Sequence, residues 1–311
     1  MARWIRPSVA AVCLILILCL GSVAAATKPK VGVSVSWSGN DYVVTMWETA
    51  QQRVRDLGGI PVATSAEGQT VKHISDIETL IAQGVKAIII QPYDTVALVP
   101  VVQQANRAKI PVICMDGKVA GGDITAWVGS DNVEAGEKIA RYLMDRIGGQ
   151  GNIVVFWSPT HSGHRERVEG LENVLKDYPD VKVLVRHAIQ AADPVPECRA
   201  AMESILVANP KIDGVFCIYD MPAIGVTQAI EASNRDGIVV VGVDGDPMAL
   251  KYIKEGRGLE ATCAQSAAEI GGTAAELAMK AIKGEKVPET TYTTLTLITK
   301  ENVDEYLEKD K

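Results

Sequence analysis

A chain of 311 residues that is 47% hydrophobic and 22% charged, with no low-complexity tract, has room for two domains of ordinary size and excludes a disordered or fibrous protein. Its formal charge of −7 argues against nucleic acid as a partner, because phosphate backbones need a basic face. Solubility is the plain reading of that charge.

The amino terminus reads as a secretory signal peptide over residues 1–26. Arg3 and Arg6 precede an apolar run from Val9 to Leu20, and Ala24, Ala25 and Ala26 offer small residues for cleavage before Thr27. The run is short for a membrane span, which favours export over a retained anchor, and Leu18 before Cys19 does not suit lipoprotein processing. Cleavage leaves 29 basic against 38 acidic residues, a formal charge of −9. It also leaves Cys114, Cys198, Cys217 and Cys263, which lie in apolar runs without metal spacing and read as buried thiols. An oxidising compartment keeps a disulfide open.

Lys30 to Ser36 reads as the first strand and Trp37 to Asp41 as a polar loop. Val43, Trp47, Ala50, Val54 and Leu57 follow at helical spacing, and Gly58-Gly59 ends that helix. Strand Ile60 to Ala63, a helix carrying Val71, Ile74, Ile77 and Leu80 on one face, strand Ala87 to Ile90, a helix from about Val96 to Ala108, and a strand ending at Asp116 continue the alternation. Around Thr125 to Asn132 a short strand with a polar exit opens a second series. Helix Glu134 to Ile147 precedes strand Asn152 to Phe156, helix Arg165 to Tyr178 precedes strand Val181 to Arg186, and helix Glu197 to Ala208 precedes strand Gly214 to Ile218. A strand ending at Asp244, a short helix to Glu255, strand Leu259 to Ala264, a helix from Ala267 to Lys283 and a strand-like connection from Thr290 to Ile298 complete the chain. Such β-α repetition implies parallel sheets with right-handed crossovers. No Pro- or Gly-rich linker separates the halves, so the junction is expected to be a hinge that the chain crosses more than once.

Two strands share one form. Ile110 to Gly117 (IPVICMDG) and Ile238 to Gly245 (IVVVGVDG) are apolar runs ending in Asp-Gly, with Asp116 and Asp244 128 positions apart. The segments ahead of Asp94 and Asp220, 126 apart, match in the same way. The pattern is that of two similar α/β lobes, each ending a buried strand in a carboxylate. In open α/β sheets ligands bind outside the carboxyl ends of the strands.

Aromatic residues are scarce, and Trp37, Tyr42, Trp157 and Tyr219 all fall at such ends, alongside Ser36, Asn40, Asp116, Arg165, Asp244 and Gln265. Flat rings that cover sugar C–H faces, together with charged groups that bond hydroxyls strongly, make the inventory of a site for a neutral polyhydroxyl ligand. Plainer roles stay open: Asp-Gly suits turns, the tryptophans can be packing, and Arg165 can be a surface ion pair. His161 and His164 lack the glutamate and third ligand of a zinc site, so no metal is expected. No G-x-S-x-G elbow, P-loop or G-x-G-x-x-G fingerprint is present, which leaves no cofactor expected and an exported carbohydrate enzyme as the alternative class.

In the segments SWSGNDY, VICMDG, VGSDN, HRERVEGL, VVVGVDGDP and ATCAQ the chain resembles the type I periplasmic sugar-binding proteins, the ribose-binding-like receptors of ABC importers. The resemblance implies two Rossmann-like lobes with parallel sheets joined by a three-crossover hinge. The crossovers would fall near Gly129 to Asp131, Cys263 to Gln265 and Thr291 to Thr294, giving lobes of residues 27–130 plus 266–293 and 131–265 plus 294–311. It also implies a periplasmic, monomeric, non-enzymatic receptor for a sugar or polyol that serves an ABC permease, with a chemoreceptor as a further option. Carried over by position, Ser36, Asn40 and Tyr42 are first-loop contacts, and Asp116, Arg165, Asp244 and Gln265 bind hydroxyls. Trp37, Asp193 and Tyr219 complete the expected set. The sequence departs from the ribose pattern at Gly117 for an arginine, Val43 and Asp193 for aromatics, and Tyr219 for an asparagine. Ribose itself is therefore not the expected ligand.

Overall fold

The computed structural model describes Met1 and residues 27–307 apart from 40, 160 and 192. The expected signal peptide and Asn40 lie outside the described residues. The first half runs β1 (Lys30–Val35), α1 (Asp41–Asp56), β2 (Ile60–Ser65), α2 (Thr70–Ala82), β3 (Ala87–Gln91), α3 (Val99–Arg107), β4 (Val112–Met115) and β5 (Ala126–Gly129). The second runs α4 (Asn132–Arg146), β6 (Gly151–Trp157), α5 (Ser162–Leu175), β7 (Val181–Ala188), α6 (Pro194–Ala208), β8 (Gly214–Cys217), α7 (Asp220–Ala232), β9 (Val239–Asp244), α8 (Pro247–Glu255) and β10 (Leu259–Gln265). The chain ends with α9 (Ala267–Ile282), β11 (Thr290–Tyr292), β12 (Leu295–Thr299) and α10 (Asp304–Leu307).

The strands form two six-stranded sheets, ordered β11-β5-β4-β3-β1-β2 and β12-β10-β9-β8-β6-β7. Every ladder is parallel except β10 with β12. The two orders superimpose strand for strand, so β4 corresponds to β9 and β3 to β8. This is the physical basis of the sequence repeat: Asp116 and Asp244 leave equivalent strands, and so do Asp94 and Asp220. The chain passes from the first sheet to the second after Gly129, returns after Gln265, and crosses again between Tyr292 and Leu295. Two of these crossings touch, since Thr293 N–H donates to the Gly129 carbonyl at 2.9 Å and the Ser130 and Thr293 hydroxyls are 3.5 Å apart.

Both faces of each sheet are covered, which is why the central strands read as unbroken apolar runs. In the first lobe α1 and α9 bury Val31, Val33 and Met115, while Ile88, Ile90 and Cys114 pack towards α2 and α3. The second lobe holds one core around Phe156, Phe216 and Val241. All four described cysteines are free and buried.

Helix faces differ from the sequence expectation in two places, and α7 is a helix that the sequence expectation lacks. On α1 Met46 joins the expected Val43, Ala50 and Val54 on the buried face, while Trp47 is half-buried with its indole donating to the Val33 carbonyl, and Leu57 lies beyond the helix end. On α2 Val71 is exposed and His73 takes the buried place one turn before Ile77. The helix α7 carries no polar face to mark a period, because Ala223 to Thr227, Ala229 and Ile230 are all buried.

Adjacent glycines in α9 show how closely the helices meet. A Cβ at Gly271 would stand 2.1 Å from the Met46 carbonyl oxygen of α1, whereas one at Gly272 would meet its nearest neighbour at 3.8 Å. Gly271→Ala is therefore expected to lower stability by roughly 1–3 kcal/mol through overpacking. Gly272→Ala should raise it by up to about 1 kcal/mol through helix propensity. Denaturant melts of the two variants check this contrast in sign.

Candidate functional site

The carboxyl ends of both sheets face one cavity of about 530 Å³. Two aspartates stand on opposite sides of it in unusual backbone conformations, Asp116 with φ of 63° and Asp244 with φ of 129°. A positive φ is costly for a residue with a side chain and persists where surrounding structure holds it. Here that structure is visible. Asp116 accepts from the Tyr42 hydroxyl at 3.2 Å and the Gln91 amide at 3.4 Å, while the Trp127 indole donates to its carbonyl at 3.0 Å. Gln91 is fixed in turn by Ser36, whose hydroxyl and backbone N–H both donate to its side-chain oxygen.

Asp244 accepts from the Gln265 amide at 2.8 Å and from Arg167 at 3.3 Å. Arg167 is only 3% exposed, and it also donates to Asn132 Oδ1 at 2.9 Å and to the Ile218 carbonyl at 2.8 Å. Its place depends on helix contact without side chains. A Cβ at Gly136 of α4 would stand 2.2 Å from the Arg167 carbonyl oxygen, and one at Gly170 of α5 would stand 2.3 Å from that of Val133.

The turn after Asp244 is held from below. Asp220, fully buried, accepts from the backbone N–H groups of Gly245 and Asp246 and from the Thr262 hydroxyl, each at 2.9 Å. Burial and the Asp244 charge push its pKa well above the usual carboxylate value.

Of the residues expected from sequence, Ser36, Trp37, Tyr42, Asp116, Asp193, Tyr219, Asp244 and Gln265 all line the cavity. Arg165 does not. It is exposed and donates to the Pro159 carbonyl at 2.6 Å, and the arginine in the cavity is Arg167, two positions on and about 200° round the helix. Asp193 lines the rim with its carboxylate engaged as the N-cap of α6, accepting from Val195 N–H. Trp157, at the end of β6, is not among the lining residues.

Sequence reasoning weighed His161 and His164 only as metal ligands, yet both line the cavity. His161 caps α5 through Nδ1, which accepts from Gly163 N–H, and its Nε2 is 3.9 Å from Asp116 Oδ2. Gly117 makes room for it, since a Cβ there would lie 2.9 Å from that Nε2. His164 stacks on Tyr219 with centroids 5.0 Å apart and an interplanar angle of 8°. Gln91, Tyr93 and His73 also border the cavity. The usable signal for the histidines was their position directly after strand β6.

Burial lowers the pKa of both cleft histidines, and for His164 the neighbouring His161 and Arg167 add to it. They therefore stand neutral at pH 7. Asp244 is raised to about 7 by burial and by Asp116, against the opposing pull of Arg167. Among the described lining residues Arg167 is the one Lys or Arg, alongside five carboxylates. His161 Nε2, His164 Nδ1 and Gln265 Oε1 are buried without a partner among the described residues, and buried polar atoms ordinarily have one.

A two-lobed α/β protein with opposed carboxylates, neutral donors and acceptors and aromatic rings in its cleft is a solute-binding protein by design. The comparisons give its family: residues 31–286 match the periplasmic binding protein domain, and the chain belongs to the type I periplasmic sugar-binding proteins. The ribose import binding protein of Bacillus subtilis (strain 168) is 34% identical over 270 residues, covering 86% of this chain and 87% of the relative. The xylitol-binding protein of Mycolicibacterium smegmatis is 32% identical over 250 residues, covering 79% and 70%. Among solved structures, an ABC transporter solute-binding protein from Agrobacterium vitis with bound allitol has a TM-score of 0.83 at 30% identity, covering 91% of this chain and 99% of that one. A Bacillus halodurans solute-binding protein with bound myo-inositol has a TM-score of 0.84 at 28% identity, covering 91% and 98%.

His73 gives the fold a pH signature. Burial depresses its pKa from 6.5 to about 4, so the unfolded chain takes up a proton that the folded one refuses. The sign follows from linkage: the contribution is intact above pH 6.5 and is lost as pH falls towards 4, by about 3 kcal/mol at 1.36 kcal/mol per unit. The raised Asp244 acts oppositely, because the folded state then holds the extra proton. Comparing urea melts of wild type and His73→Phe at pH 7 and pH 4.5 isolates the histidine, and the variant is expected to lose less stability on acidification.

Proposed function

We propose that the protein is a periplasmic receptor that binds one neutral polyhydroxylated solute between its lobes and hands it to an ABC permease. The observation that carries this reading is the opposition of Asp116 and Asp244 across a cavity whose buried His161, His164 and Gln265 atoms lack partners. Ionised acceptors bond hydroxyls strongly, and Arg167 and the glutamine amides supply the donors. The rings of Trp37, Tyr42 and Tyr219 offer faces for C–H groups. A carboxylate excess disfavours anionic solutes, so sugar acids and sugar phosphates are excluded. That ribose, xylitol, allitol and myo-inositol are named for relatives supports the solute class.

Residues 27–130 with 266–293 form one lobe and 131–265 with 294–307 the other, and residues 1–26 act as the export signal. Each lobe brings one aspartate and its supporting glutamine, so a solute held by both gains only in the closed arrangement, and its binding shifts the population towards closure. The closed pair of lobes is then the surface that the permease meets. In this reading the protein acts as a monomer, by binding alone.

A ligand at 100 times its dissociation constant should stabilise the mature protein by about 2.7 kcal/mol, which a thermal-shift screen of pentoses, hexoses and polyols reads directly. Asp244→Ala is expected to weaken the identified ligand by at least about 30-fold, in line with 2–5 kcal/mol for truncating one side of a buried charged pair, while unfolding stays cooperative. Calorimetric titration of that variant checks it, and unchanged affinity would overturn the site.

A further inference from the structure

The cavity is longer than the pair of aspartates requires. Its lining runs along both sheets from the ends of β4 and β9 to the loops after β2 and β7, so it reaches Gly68 and Gln69 in one lobe and Ala191 and Asp193 in the other. In each sheet three strand spacings separate those points, roughly 14 Å at 4.7–4.9 Å per strand. The two far loops are topological equivalents, β2 to α2 and β7 to α6, so this arm is built by the same doubling as the centre.

The arm has recognition chemistry of its own. His73 borders the cavity, is 2% exposed, and has no partner at Nε2. Burial keeps the ring neutral, so Nε2 is free to accept or to donate one hydrogen bond. Beside it α2 begins at Gln69 without any side-chain cap, and the first N–H groups of a helix have no partner inside it. An acceptor and backbone donors in one place match a hydroxyl, which gives and accepts at once. A charged substituent fits worse, since Glu67, Asp94 and Asp193 also line the cavity. Trp37, beside Gly68, gives the arm a flat wall. Opposite, Asp193 lines the arm with its carboxylate engaged in capping α6.

Resting on the receptor reading, we infer that the cleft takes a neutral carbohydrate of two units, a disaccharide or glycosylated polyol. The first unit lies between Asp116 and Asp244, and the second lies in the arm against His73 and the start of α2. The cavity's 530 Å³ is within the roughly 300–1,000 Å³ typical of larger small-molecule ligands.

The test is calorimetric titration of the mature protein, residues 27–311, with sucrose, lactose, melibiose and glucosylglycerol, and with glucose, galactose, fructose and glycerol as the single units. At least one two-unit ligand is expected to bind tenfold or more tighter than either of its units. His73→Phe should weaken that ligand about tenfold and leave single-unit affinities within twofold. Ala191→Trp, at an exposed rim position, should obstruct the arm with the same selectivity and keeps the test valid if His73→Phe folds poorly. Single units that bind as tightly as every two-unit ligand, and respond equally to both variants, would overturn the arm while leaving the receptor intact. Silence towards all eight compounds and the pentose and polyol screen would overturn the receptor reading, and this inference with it.

Discussion

A guanidinium taken out of water must be met by partners or it costs several kcal/mol, and the cleft of this protein is arranged around one such group. Arg167 is met by Asn132 at the start of α4, by the carbonyl of Ile218 at the end of β8, and by Asp244 at the end of β9. Those three contacts tie a helix start and two strand ends into one surface. The surface exists only because α4 and α5 approach through Gly136 and Gly170, close enough for backbone to touch backbone. What looks like a ligand site is thus first a solution to burying a charge.

The two lobes solve the same placement problem with different chemistry. Each ends an apolar strand in an aspartate with positive φ and sets a glutamine amide on its carboxylate, Gln91 for Asp116 and Gln265 for Asp244. The third partner differs: a neutral phenol in the first lobe and a cation in the second. Among the described residues no Lys or Arg contacts Asp116, and neutral His161 faces it across the cleft. Under the proposed function, a solute that donates hydroxyl hydrogens to Asp116 and accepts from Arg167 meets both sides, whereas an anion meets only Arg167.

Much of this was readable in the chain because covered parallel strands leave an unmistakable apolar run and because duplication repeats it. The strands and the paired Asp-Gly ends follow from such patterns, whereas the three crossings come from the resemblance to the sugar-binding family. Choosing between Arg165 and Arg167 does not, since two arginines in H-R-E-R differ only by which side of α5 each occupies, and the helix starts at Ser162, earlier than the sequence suggested. His73 was hidden by the apolar Val71, which a stripe argument prefers although the structure leaves it exposed. Asp193 was legible as a departure from the ribose pattern, but not as a cap, because capping depends on where α6 begins.

The last segment of the chain has a consequence for how the molecule comes to be. The first sheet receives β11 and the cover of α9, and the second receives β12, all from beyond residue 266. The lobe that is synthesised first is therefore the one that must wait longest for its parts. Until α9 arrives, Val31, Val33 and Met115 are covered on that face by α1 alone, and completing it joins Val31 and Val33 to residues more than two hundred positions away. Contacts of such long separation are slow to form, and the half-built sheet exposes apolar surface meanwhile. The interleaving that gives the receptor a hinge also obliges its two lobes to mature together, so that neither is finished until almost the whole chain is present.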